Sequence, residues 1–180
     1  MNREGIRVVV PSVMHSGTHV LRYKILRAFF KDNEDTCLFN ANTKNELVWF
    51  HVDQEHRHVE CQDSIVVIPM RHPRRIAKSW KSRERTPARR PYNEENLYSQ
   101  LSQQMDLDKY NPLYVHIDMP EIRDKQVQEL SELLGLDLHY DWVPDRVSGS
   151  IAGNWDAKIE QCPEVPGVYI EWYYKTAGMV

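Results

Sequence analysis

The sequence predicts an α/β protein, a three-layer sandwich with a mostly parallel central sheet and helices on both faces. Two observations carry this. Arg7-Val8-Val9-Val10 and Ile65-Val66-Val67-Ile68 are short β-branched runs, the composition of strands buried on both faces of a parallel sheet. Each leads through a loop into a helical pattern, and strands that alternate with helices imply parallel pairing with right-handed crossovers. At 180 residues and 41% hydrophobic content the chain holds one domain, 1–180, with a sizeable core.

Taken in order, Arg7–Val10 is the first strand, interrupted by Pro11 and Ser12. A helix follows, with Val20, Leu21, Ile25, Leu26, Phe29 and Phe30 on its apolar side. Thr36–Phe39 reads as a short strand and Glu46–Val52 as a third. Ser64–Met70 is the next buried strand, and Pro73 opens a helix to about Arg83, since a missing N–H costs little in the first turn. The charged stretch Lys81–Arg90 reads as a loop. Asn93 caps a helix from Glu94 to about Leu107, with Glu95, Asn96 and Gln100 on its polar side. Pro112–Ile117 is another strand. Asp124–Leu134 is an amphipathic helix carrying Val127, Leu130, Leu133 and Leu134 on one face and ended by Gly135. The remainder reads as irregular apart from a strand at Val168–Ile170.

Charge and composition exclude several classes. A net charge of −3 argues against a general nucleic-acid binder. The absence of a long apolar run predicts no membrane span, and the N-terminus lacks the apolar stretch of a signal peptide. Three widely spaced cysteines, Cys37, Cys61 and Cys162, suit reduced thiols and a cytoplasmic location.

Two stretches carry chemistry. Met14-His15-Ser16-Gly17-Thr18-His19 joins a strand to a helix, a layout that aims backbone N–H groups at an anion, usually a phosphate. A Walker A loop would place Gly at position 12 and Lys-Ser/Thr after Gly17; Ser12, Thr18 and His19 stand there, which disfavours an ordinary ATPase or GTPase. The second stretch ends a buried strand with Arg71 and puts Ser79 eight residues on along the next helix. A planar guanidinium and a hydroxyl make a second anion site. Each feature also has a plainer reading: Ser16-Gly17-Thr18 as a helix cap, Arg71 and Ser79 as ordinary surface and helix residues, and Trp155 as core filling.

Together these stretches resemble the two nucleotide-binding signatures of the sulfotransferases, enzymes with a P-loop NTPase-like fold that use 3′-phosphoadenosine 5′-phosphosulfate (PAPS). The family's Pro-Lys-Ser-Gly-Thr-Thr loop, which grips the 5′-phosphosulfate, is similar to residues 14–19, and its Arg-x-Pro…Ser signature for the 3′-phosphate is similar to Arg71, Pro73 and Ser79. Ser150-Ile151-Ala152-Gly153-Asn154-Trp155 resembles the late glycine-containing loop that folds over the nucleotide. His116-Ile117-Asp118 and Leu133-Leu134-Gly135-Leu136 are similar to the family's Tyr-Glu-Asp strand and Phe-Leu-Gly-Leu helix. The resemblance implies that His15, Ser16, Gly17, Thr18, His19, Arg71, Ser79, Ser150, Gly153 and Trp155 bind PAPS. It also implies sulfuryl transfer to a hydroxyl or amine of a small-molecule, peptide or glycan acceptor, leaving adenosine 3′,5′-bisphosphate and needing no metal.

The sequence departs from the family at two places. His15 stands where the family carries Lys or Arg, and Ser148-Gly149 stand where the cytosolic enzymes have Arg-Lys. A protonated histidine can stabilise the departing phosphate, with an unperturbed pKa of about 6.5. The family places a general base between the two signatures, and His51 is the residue chosen for that role, with Asp53, His56 and His58 as substitutes. The other readings are a P-loop kinase-like phosphotransferase and a catalytically inactive nucleotide-binding module.

Overall fold

The computed structural model describes residues 5–18, 20–26, 39–40, 45–82, 92–138 and 158–179. Among the described residues five strands form one sheet: β1 (Arg7–Ser12), β2 (Phe39–Asn40), β3 (Asn45–His51), β4 (Ile65–Met70) and β5 (Leu113–His116), in the order β2-β3-β1-β4-β5. β1 runs parallel to β3, with Val8 opposite Leu47 and Ser12 opposite His51, and parallel to β4, with Val9 opposite Val66. β4 runs parallel to β5, with Met70 opposite His116, and the two residues of β2 pair antiparallel with β3.

Period-two alternation sends successive side chains of the sheet to opposite faces. Val8, Val10, Leu47, Val67 and Val115 point to one side, where they meet Val20, Leu21, Ile25 and Leu26 and the helix α3 (Pro120–Leu134). Val9, Val48, Phe50, Val66 and Ile68 point to the other. There they meet α1 (Pro73–Lys81), α2 (Glu94–Met105) and α4 (Gly167–Thr176). Helices therefore cover both faces, an arrangement compatible with a three-layer sandwich. Each fully buried Val, Leu, Ile or Phe contributes about 1.5–3 kcal/mol.

Local chemistry sets the helix ends. His72 caps α1 through its side chain, with Pro73 in the first turn. The Asn93 carboxamide accepts from the N–H groups of Glu95 (2.8 Å) and Asn96 (3.3 Å) to start α2. Gly135 closes α3 at φ 66°, a conformation glycine adopts without penalty.

Several expectations change. α3 begins at Pro120, four residues before Asp124, because Pro120 fits the first helical turn as Pro73 does. Leu133 is 38% exposed while Val127, Leu130 and Leu134 are buried, so the inward stripe is narrower than the apolar pattern. Gln100 is buried, not on the polar side. The expected strand at Val168–Ile170 is instead the start of α4, where Tyr169, Trp172 and Tyr173 fall at helical spacing and go inward. The first helix is wound as a π-helix over Val20–Ile25, a rare form that is frequent at functional sites. Phe29, Phe30, Cys37 and residues 36–38 of the expected second strand lie outside the described residues, as do residues 83–91.

Candidate functional site

In an open α/β sheet, ligands bind beyond the carboxyl ends of the strands, at the point where the strand order reverses. Here β1 has β3 on one side and β4 on the other, so that point is the carboxyl end of β1. The loop from Val13 to Thr18 starts there. Ser16 donates its N–H to the Val13 carbonyl (3.1 Å), and the Leu21 N–H to the Gly17 carbonyl (3.1 Å) begins the helix. His15 has φ 65° and Gly17 φ 104°, both in the left-handed region. A Cβ on Gly17 would lie 3.0 Å from Ile117 Cγ1, a tight contact, and the φ of 104° would strain any side chain, so both favour glycine here. Ser16 is fully buried, and its Oγ has no hydrogen-bond partner among the described residues. A buried hydroxyl left so is costly unless something else bonds it.

The Arg71 turn follows β4 and joins this loop. Arg71 is buried and its Nη1 donates to the His15 carbonyl at 3.3 Å. The turn is fixed from behind by Asp118, just past β5, whose side chain is 1% exposed. One Asp118 oxygen accepts from the His72 N–H (3.0 Å) and from Arg75 Nη1 (3.0 Å), and the other accepts from the Tyr173 hydroxyl (2.6 Å). Burial pushes the His72 imidazole down to about 4, against the pull of the Asp118 carboxylate, so the ring is neutral near pH 7. Its Nδ1 accepts from the Arg74 N–H (3.3 Å), which leaves the ring proton on Nε2. Burial and Asp118 raise the Tyr173 phenol well above its ordinary value, keeping it a donor. Arg74 reaches the other way, donating to the carbonyls of Cys162 (2.8 Å) and Pro163 (3.1 Å) and to the Glu164 carboxylate (2.8 Å).

The remaining expected site residues divide. His51 ends β3 in register with Ser12, so adjacent-strand spacing of about 4.8 Å sets it beside the loop. Its ring stands edge-on to Trp49 (6.0 Å), and its Nδ1 is buried without a hydrogen-bond partner among the described residues. His58 instead bonds the Val52 carbonyl through Nε2 (2.8 Å), and His56 and Asp53 are exposed. Ser79 is buried on α1, the helix that Arg71 precedes. Its neighbours Lys78, Lys81 and Ser82 line an open cleft of about 800 Å³ with residues 160–163. Trp80, one residue further on, packs on the His15 ring at 5.9 Å. Thr18 is buried, while His19, Ser150, Gly153 and Trp155 lie outside the described residues. Among the described residues no three His, Cys, Asp or Glu side chains gather as a metal site, and no helix is long and apolar enough to cross a membrane.

Two site residues escaped the sequence reading. Asp118 was matched only as part of a strand, although a carboxylate just past a buried strand is the natural partner of a following basic turn. Gln100 lies on the Leu97–Leu101–Gln104 stripe, and its Oε1 accepts from the Met14 N–H at 3.0 Å. A polar residue at helical spacing with two leucines was the available signal. Comparison with protein-family models, curated proteins and solved structures finds no match for this chain.

Proposed function

We propose that this protein binds PAPS and transfers its sulfuryl group to an acceptor hydroxyl or amine, on a P-loop-like, sulfotransferase-like fold. The observation that carries the reading is the 3.3 Å hydrogen bond from Arg71 to the His15 carbonyl. It ties the two anion-type signatures together at the carboxyl end of β1, where the buried Ser16 hydroxyl, without a hydrogen-bond partner among the described residues, is a donor for a phosphate. A single phosphate loop does not require the second signature; a nucleotide bearing a 3′-phosphate does.

Ser16, Gly17 and Thr18 would hold the 5′-phosphosulfate, with His15 beside the charge that develops on the departing phosphate. Arg71 and Ser79 would hold the 3′-phosphate. Bound PAPS supplies an activated sulfuryl group, whose sulfur passes from a phosphate oxygen to the acceptor atom. His51, at the neighbouring strand end, takes the acceptor's proton. Trp80 against the His15 ring limits the positions that ring can take.

Calorimetry with adenosine 3′,5′-bisphosphate and with ATP, each with and without magnesium, tests the reading. The bisphosphate binds more tightly than ATP and without magnesium dependence; equal or tighter ATP binding sinks it. Transfer activity falls as pH rises through the ordinary imidazole range, about 6.5, because a neutral His15 no longer stabilises the departing phosphate, and His15→Lys flattens that fall. An unchanged profile in the lysine variant removes His15 from the chemistry. The inactive-module reading is favoured by the same histidine, and it prevails if the bisphosphate binds while neither wild type nor His15→Lys shows transfer.

A further inference from the structure

We infer that Gln100 is a positioning residue for the anion loop: from α2 its side-chain carbonyl holds the Met14 N–H and so sets the entry of the loop. This rests on the loop being the anion site. The bond is 3.0 Å long and spans 86 positions of sequence, and Gln100 is 3% exposed. A backbone N–H only donates, so the bonded side-chain atom is the carbonyl oxygen. Without it Met14 would carry a partly buried N–H at the point where the backbone leaves β1 for the left-handed His15.

The helix that supplies Gln100 is itself anchored. Leu97 and Leu101 flank it in the core, Ser102 and the Tyr98 carbonyl bond the Tyr169 hydroxyl (2.9 and 3.1 Å), and Gln103 donates to Glu55 (2.7 Å). A fixed helix therefore transmits a fixed position to Met14. The same placement explains a glutamine rather than a glutamate: a carboxylate would accept the N–H equally well but would set a negative charge against the incoming anion.

Two variants and two readouts test this. In Gln100→Leu, amide hydrogen exchange at Met14 quickens and affinity for adenosine 3′,5′-bisphosphate and for inorganic pyrophosphate falls by about tenfold, the effect of about one lost hydrogen bond. In Gln100→Glu, Met14 exchange stays as in wild type, affinity for both anions falls at pH 8, and it recovers as pH drops and the carboxyl protonates. A thermal melt of the glutamate variant at each pH, with wild type measured alongside, separates this recovery from relief of a fold destabilised by a buried carboxylate and from the protonation of His15 that both proteins share. Unchanged Met14 exchange in the leucine variant, or wild-type affinity in the glutamate variant at a pH where its carboxyl is ionised, overturns the inference. The exchange measurement needs no ligand, and pyrophosphate reports the loop without the nucleoside. Pyrophosphate binding without bisphosphate preference therefore fails the PAPS reading and leaves Gln100 to be judged on its own readouts.

Discussion

Arg71→Ala lowers affinity for adenosine 3′,5′-bisphosphate by about a hundredfold and removes its advantage over adenosine 5′-phosphate. The magnitude follows from a forked guanidinium on a phosphate, since hydrogen bonds to charged groups contribute about 1.5–3 kcal/mol and 1.4 kcal/mol is tenfold. Because Arg71 is 4% exposed and bonds the His15 carbonyl, alanine also leaves a space and frees the loop. Two companions separate these effects. Arg71→Met keeps most of the volume without the charge and binds as weakly as alanine. Arg71→Lys keeps a point charge but cannot bridge loop and phosphate as a fork does, so it retains the preference at reduced affinity. Calorimetry gives the affinities, and a thermal melt verifies that each variant is folded. An alanine variant that still discriminates against adenosine 5′-phosphate removes Arg71 from the 3′-phosphate site.

That prediction joins a part of the molecule that was legible in the sequence to a part that was not. β1 and β4 were legible because β-branched runs buried on both faces leave a continuous apolar signal, and the loop and Arg71 stand at their ends. His51 was legible near a strand end because the apolar run Leu47–Phe50 precedes it, although the strand stops at His51 and not at Val52. The Arg71–His15 bond was not, since it links residues 56 apart and depends on β1 and β4 being neighbours. α4 was misread because Val168-Tyr169-Ile170 has strand-like composition, while the helical period shows only when Trp172 and Tyr173 are included. Gln100 is polar and yet buried, so its polarity does not signal exposure. The tertiary structure instead uses its amide to satisfy a loop N–H, which no local pattern specifies.

Asp118→Ala destabilises the fold by about 3–5 kcal/mol, the cost of removing one partner from a buried ion pair. Three donors lose their acceptor together: the His72 N–H, the Arg75 guanidinium and the Tyr173 hydroxyl. Arg75 is 19% exposed, so water recovers part of its solvation; the His72 N–H and the buried Tyr173 have no such recourse. Urea titration should therefore show a lower midpoint at unchanged slope, and the melting temperature should fall by about 10 °C. Asp118→Asn keeps one accepting oxygen, discards the charge and turns an NH2 donor towards the groups on the other side, so it falls between alanine and wild type. Tyr173→Phe removes one donor and leaves the other two satisfied, so alone it costs about 1.5–3 kcal/mol, the contribution of one hydrogen bond to a charged group. In a double-mutant cycle Asp118→Asn and Tyr173→Phe couple, because each removes part of the same interaction. The functional consequence runs through His72: its N–H on Asp118 sets the turn that presents Arg71, so Asp118→Asn weakens bisphosphate binding while Tyr173→Phe leaves it nearly unchanged. Additive stabilities, or equal loss of binding in both variants, would show that Asp118 supports the fold without posing the turn.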